Sequence, residues 1–202
     1  MQSLRPYVLS AVASVALCDG MMSPANAQTF SSSYTSTAAK DCRTAVTGRD
    51  GGLRVCAGKA GLVVVISEDD LRETVSVGRN RATAEREPAS HMSFGPFNST
   101  TATIEWRAAD GKAFAMIQRW HIADNDDLDK SGRPTDKGLL VVTRLPPGPV
   151  CHVAYVDVRA NPDNNELARQ AADQHARNFN CSKDAVKVIG ANGRAVELAI
   201  GR

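Results

Sequence analysis

Apolar and polar residues alternate most cleanly from Ala102 to Ala108, where Ala102, Ile104, Trp106 and Ala108 are separated by Thr103, Glu105 and Arg107. A side-chain period of two sends the two sets to opposite faces of a strand. Asp110-Gly111, a hairpin turn dipeptide, follows at once. Phe114 to Ile122 then returns with Phe114, Met116, Trp120 and Ile122 on one face and Arg119 and His121 on the other. Leu139 to Leu145 and Val150 to Val158 supply two further strands, joined by Pro146-Pro147-Gly148-Pro149. None of these links is long enough for a helical crossover, so the four strands are expected to form an antiparallel meander.

Upstream, the β-branched run Leu62 to Ile66 between Gly61 and Ser67 reads as a strand buried on both faces. Ser67 to Asp70 reads as a short turn, and Thr74-Val75-Ser76-Val77 as another strand. Gly48 to Gly52 is a concentrated turn signal that reverses the chain between Cys42 and Cys56. Residues 83–101, with Pro88, Gly95 and Pro96, read as a long irregular connection pinned to the core by Phe94 and Phe97. One helix is well signalled: Asn161 as cap, Pro162 at the first position, and an apolar stripe through Leu167, Ala168, Ala171, Ala172, Ala176 and Phe179, ending near Asn180. Beyond it, Asn192-Gly193 between Ala185 to Ile189 and Arg194 to Ile200 predicts a terminal β-hairpin over 185–202. The expected fold is therefore α+β over 41–184: a mainly antiparallel meander, one C-terminal helix packed on it, two disulfides and the added hairpin.

The first residues change the picture from fold to compartment. Arg5, the apolar run Val8 to Leu17, and small residues at Ala25 and Ala27 describe a secretory signal over residues 1–27, cut near Ala27-Gln28. The run is too short to span a bilayer, and no later segment is long and apolar enough to do so, so no integral membrane segment is expected in the mature chain. The Ser/Thr-rich stretch that follows has no periodic apolar pattern, and 28–40 reads as a disordered arm. Cys18 lies inside the signal. The remaining Cys42, Cys56, Cys151 and Cys181 make an even set for an oxidising compartment, and spacing favours Cys42 with Cys56 and Cys151 with Cys181 among three connectivities. No pair has the close spacing of a zinc knuckle, the alternative use of thiols. Periplasmic or secreted localisation follows as the expectation.

Charge and composition add exclusions. With Lys and Arg at 24 against Asp and Glu at 22, a net charge of +2 offers no electrostatic case for nucleic acid. The acidic stretch Asp124 to Gly132 contains Asp127, Asp129, Ser131 and Gly132 at the first, third, fifth and sixth positions of a calcium loop, but the twelfth falls on Gly138 in place of a bidentate Glu. The plain reading is a solvated polar loop without a cofactor; calcium on Asp127, Asp129 and Ser131 is the alternative. None of His91, His121, His152 and His175 makes a close His pair. Arg119 and His121 project from one strand face with Asp124 nearby, a grouping suited to an anion or to orienting a base. The alternative is a solvent-facing strand. There is no Gly-x-Ser-x-Gly elbow, Ser-x-x-Lys pair or phosphate-cradling glycine loop, and no catalytic residue is assigned.

The segments VVVISEDDLRETVSVG, TIEWR, GLLVVTRL and CHVAYVDVRANPDNNELARQAADQHARNFNC resemble small exported proteins of unknown function from Gram-negative bacteria. The resemblance spans most of Cys42 to Cys181. It implies a signal-bearing periplasmic protein and carries over no activity. The expected function is a non-catalytic binding or inhibitor module acting on an unidentified envelope protein or ligand. A hydrolase using His121 or His152, and a structural or stress-related envelope component, are the alternatives.

Overall fold

The computed structural model describes residues 28–48 and 51–201. The signal expected over residues 1–27 lies outside the described residues. Strands β2 (Cys42–Thr47), β3 (Gly51–Ala57), β4 (Val63–Asp69) and β5 (Arg72–Gly78) form one antiparallel meander. Strands β6 (Asn98–Ala109), β7 (Lys112–Leu128), β8 (Pro134–Arg144) and β9 (His152–Asp157) form the second, as the alternating pattern predicts. The two join through a single parallel pairing, Arg72 with Asn98. A two-residue strand β10 (Lys187–Val188) adds to β9 in parallel, so the sheet is mixed.

The sheet buries both faces. On one, residues of both meanders share a core: Val64, Ile66 and Val77 from the first meet Ile104, Trp106 and Trp120 from the second. On the other, helix α2 (Asn164–His175) lays Ala168, Ala171 and Ala172 on Ile117, Val142 and Val156, the small alanines allowing close approach of helix to sheet. Burial of such side chains contributes roughly 25 cal/mol per Å² of apolar surface removed from water, which drives the sheet to be covered twice. Phe114 falls with the helix-side cluster, not with Met116 and Trp120 as the alternation suggests, because it is the extra residue of a bulge in β7, opposite the single step from Arg107 to Ala108 in β6. The irregular stretch is shorter than expected. It contains helix α1 (Arg81–Ala84), whose N-cap Asn80 accepts from the Thr83 N–H, and a 3-10 turn, Pro88–His91. Phe94 is in the core, while Phe97 stays 41% exposed under the Arg72 guanidinium.

Three expectations need correction. Residues 28–40 are not a disordered arm: Phe30–Ser36 is strand β1, paired antiparallel with β6 from Phe30 opposite Ala109 to Ser36 opposite Thr103. Its serines and threonines are hydrogen-bonding partners. Thr35 Oγ1 accepts from the Trp106 indole N–H at 2.7 Å, and Ser32 Oγ accepts from Arg107 at 2.7 Å while donating to Glu105 at 2.5 Å. The C-terminal segment is not a hairpin, since Arg194–Ile200 is helix α3, with Ala195 and Val196 in the two-meander core. Gly193 does not form a hairpin turn there; a Cβ at this position would lie 2.5 Å from the Asp157 carboxylate, which receives the Ala195 N–H at 2.9 Å. Finally, α2 starts at Asn164 with Asp163 as N-cap. Asn161 instead bonds Ala191 twice, its amide donating to that carbonyl at 3.0 Å and its oxygen accepting from that N–H at 2.8 Å.

Both disulfides join the expected partners, Cys42 to Cys56 across β2 and β3, and Cys151 to Cys181 between the start of β9 and the segment after α2.

Candidate functional site

The fold separates Asp124 from Arg119 and His121. Along β7, odd-numbered positions from Ala115 to Ala123 face one way and Asp124 the other, with Trp120 and Ile122. Arg119 lies beneath the start of α2 and donates to Asn164 Oδ1 at 3.4 Å. Asp124 is 2% exposed and receives two guanidinium bonds from Arg194 at 2.8 Å each, so the hydrogen bonds from Arg194 hold its carboxyl below the usual range against the opposing cost of burial. No common site exists.

The acidic stretch is not a loop throughout. Asp124 to Leu128 continues β7, and only Asp129 to Gly132 forms the turn into β8. Asp127 accepts from Lys137 and from Thr135 Oγ1. Asp129 Oδ1 takes the Ser131 hydroxyl and N–H, each at 2.7 Å, and the Arg133 N–H at 3.0 Å. These donors, Lys137 for Asp127 and Ser131 for Asp129 foremost, lower both carboxyl pKa values. Among the described residues no group of three or more His, Cys, Asp or Glu is disposed to hold a metal ion.

A cleft of about 590 Å³ opens at this end of β7 and β8. Two of its three cations are already answered by carboxylates, Arg194 by Asp124 and Asp126 and Lys137 by Asp127 and Asp124, and Arg159 faces a lining with four carboxylates, Asp124, Asp127, Asp136 and Asp157. Asp157, also buried, caps the turn after β9 by accepting from the Arg159 and Ala160 N–H groups at 2.9 and 2.8 Å. Charges arranged in this way lock α3 to the sheet edge and leave little field for a ligand.

His152 is 1% exposed and packs among Phe94, Trp120 and Tyr155, with its Nδ1 3.0 Å from the Tyr155 hydroxyl. Burial pushes its pKa down to about 4 and pushes the Tyr155 hydroxyl up. Such an imidazole is neutral and out of reach of a substrate.

His121 lies in a groove of about 240 Å³ between the starts of β5 and β6, bordered by Leu71, Phe97, Glu68 and Asp136. Leu71 is 58% exposed and sits at the β4–β5 turn with φ of 60°, a left-handed conformation that costs a leucine roughly 1–2 kcal/mol relative to glycine-compatible backbone. Its carbonyl accepts from the Asn98 N–H at 3.0 Å, which fixes the turn against β6. Glu73, the buried carboxylate of the groove, already receives Arg54 at 2.6 Å and the Thr100 N–H and hydroxyl at 2.7 Å each. It is engaged and does not orient the imidazole. Leu71 escaped sequence reasoning because a lone leucine in a charged turn has no periodicity, the absence of Gly or Asn at that reversal being the signal that was there to find, and Phe97, expected to pin its segment to the core, is exposed at the groove instead. No protein-family model, curated protein or solved structure matches the chain.

Proposed function

We propose that the chain is a non-catalytic binding module of the cell envelope, recognising a partner through the groove beside His121. The observation that carries this is the pair Leu71 and Phe97: two large apolar side chains held exposed on hydrogen-bonded strand ends on either side of a groove, one of them in a backbone conformation that disfavours leucine. The Glu68 and Asp136 carboxylates at its border suit a partner that inserts an apolar side chain flanked by a cation. Two disulfides and the lack, among the described residues, of a helix long and apolar enough to cross a membrane are compatible with extracytoplasmic residence, and the signal expected over residues 1–27 supports it. A hydrolase built on His152 is disfavoured by that residue's burial, and one built on His121 by the engagement of Glu73 elsewhere. No specific observation favours a structural or stress-related role.

Leu71→Gly separates fold from recognition. The substitution relieves the left-handed leucine while removing a side chain that is mostly in solvent, so stability should hold or rise by about 0.5–1 kcal/mol. Partner recovery from envelope extract should be lost in Leu71→Gly and in Phe97→Ser. Recovery equal to the parent in both variants would remove the groove as the recognition surface.

A further inference from the structure

A second cleft, about 460 Å³, lies at the opposite end of β7 and β8, beneath the Pro146-Pro147 turn. Its inner wall is apolar, made by Ala109, Phe114 and Leu145 together with the two prolines. Its border carries Lys112, Arg144 and Arg177, three cations against the single carboxylate of Asp110. Asp110 is engaged with the chain's own start, accepting from the Thr29 N–H at 3.1 Å and the Gln28 amide at 3.4 Å. None of the three cations forms an ion pair with another described residue.

Two of the three, Arg144 and Arg177, are nevertheless fixed in place. Arg144 donates to the Phe179 carbonyl at 2.7 Å and the Pro147 carbonyl at 2.8 Å, and its Nε–H is buried without a partner. The Arg177 guanidinium stands 5.2 Å from the centre of the Phe114 ring and 5.3 Å from that of Phe30, and donates to the Asp173 carbonyl. Ring faces and carbonyls orient a guanidinium without neutralising it. A concave apolar wall with convergent polar groups is the usual form of a small-molecule site, and its volume lies within the usual range of roughly 300–1,000 Å³.

We propose that this cleft binds a small anionic amphiphile, a single acidic head group on an apolar body, with the head between Arg144, Arg177 and Lys112 and the body against Phe114 and Leu145. The site is independent of the groove beside His121. The same chemistry is offered by a free alkyl acid and by the surface of an anionic bilayer; the concave apolar wall of Phe114 and Leu145, sized for one small molecule, favours the free acid.

Calorimetric titration of the full chain, disulfides intact, with octanoate, octanol and octyltrimethylammonium reads the charge preference. Octanoate should saturate one site at least tenfold more tightly than octanol, and octyltrimethylammonium should not compete. Replacing the two exposed cations together, Lys112→Gln with Arg177→Gln, should weaken octanoate tenfold or more and leave octanol within twofold. Arg144 is spared because it holds two backbone carbonyls. Vesicles containing phosphatidylglycerol should not retain the chain when octanoate occupies the cleft. Equal affinity for the ammonium amphiphile, parent-like octanoate binding by the double variant, or retention on vesicles by a chain that ignores octanoate would each overturn the proposal.

Discussion

The two ends of the β7–β8 ladder both carry charge and use it in opposite ways. At the acidic end two of the cleft's three cations meet carboxylates, Arg194 with Asp124 and Asp126 and Lys137 with Asp127, while Arg159 forms no ion pair among the described residues; the Arg194 pairs fasten α3 over the core. At the proline end Arg144 and Arg177 are oriented by carbonyls and rings, and Lys112 by nothing charged. A larger cleft is therefore the poorer candidate. What distinguishes a site from a structural ion cluster here is whether the charges have been answered within the chain, because an answered charge presents a small field and a compact desolvated pair.

The largest expected effect tests what holds the proline end together. Cys181 returns to that end, its sulfur 3.3 Å from the Pro149 carbonyl, and its bond to Cys151 closes a separation of 30 residues. Replacing Cys151 with Ser should lower unfolding free energy by about 3–4 kcal/mol in denaturant melts, more than loss of the Cys42–Cys56 bond with its separation of 14. A similar loss for the two would show that loop closure does not dominate.

Acid titration should separate the ends in pH. His152, at the proline end of β9, has a folded pKa of about 4, below the ordinary 6.5, so the unfolded chain binds its proton first. Its contribution is complete above about pH 6.5 and falls as the pH drops toward 4, by about 3 kcal/mol. His175, lowered by burial and by Lys187, adds a loss of the same sign. Asp124 acts in the same direction but lower on the scale: its carboxyl is depressed, so its stabilisation persists above about 3.8 and is lost only as the pH falls from there through its folded value. Stability measured from pH 7 to 3 should thus decline in two stages, and His152→Gln should flatten most of the first. A first stage unchanged by that substitution would contradict the assignment.

Calcium is expected to do least. Asp127 and Asp129 already accept from Lys137, Thr135, Ser131 and Arg133, so millimolar calcium should leave Tm unchanged. A rise that disappears in Asp129→Ala would show that these carboxylates remain open to a cation.

Strands β5, β6 and β7 were legible because their apolar positions repeat every second residue, β4, β8 and β9 because they are short apolar runs rich in β-branched residues, and the helix because its alanines repeat with helical spacing. Strand β1 was not. Its residues satisfy Trp106, Arg107 and Glu105 by hydroxyl bonds and contribute almost no apolar pattern, so only the open edge of β6 reveals it as a strand. Asn192-Gly193 misled for a related reason: the glycine answers to the close approach of Asp157, a tertiary demand with no local mark. The grouping of Arg119, His121 and Asp124, by contrast, was separable from sequence alone, since strand parity places Asp124 with Trp120 and Ile122. The uncompensated cations of the proline end come from three separate segments, and no spacing in the chain brings them together.

The comparison of the two ends is tested most directly by removing charge from each and measuring unfolding in denaturant. Arg194→Gln leaves the buried Asp124 carboxylate without its guanidinium and should lower the unfolding free energy clearly more than the double replacement at the proline end. Lys112→Gln combined with Arg177→Gln breaks no ion pair and should cost less than about 1 kcal/mol. Equal losses, or a larger loss at the proline end, would show that its cations serve the fold as those of the acidic end do, and would contradict the account.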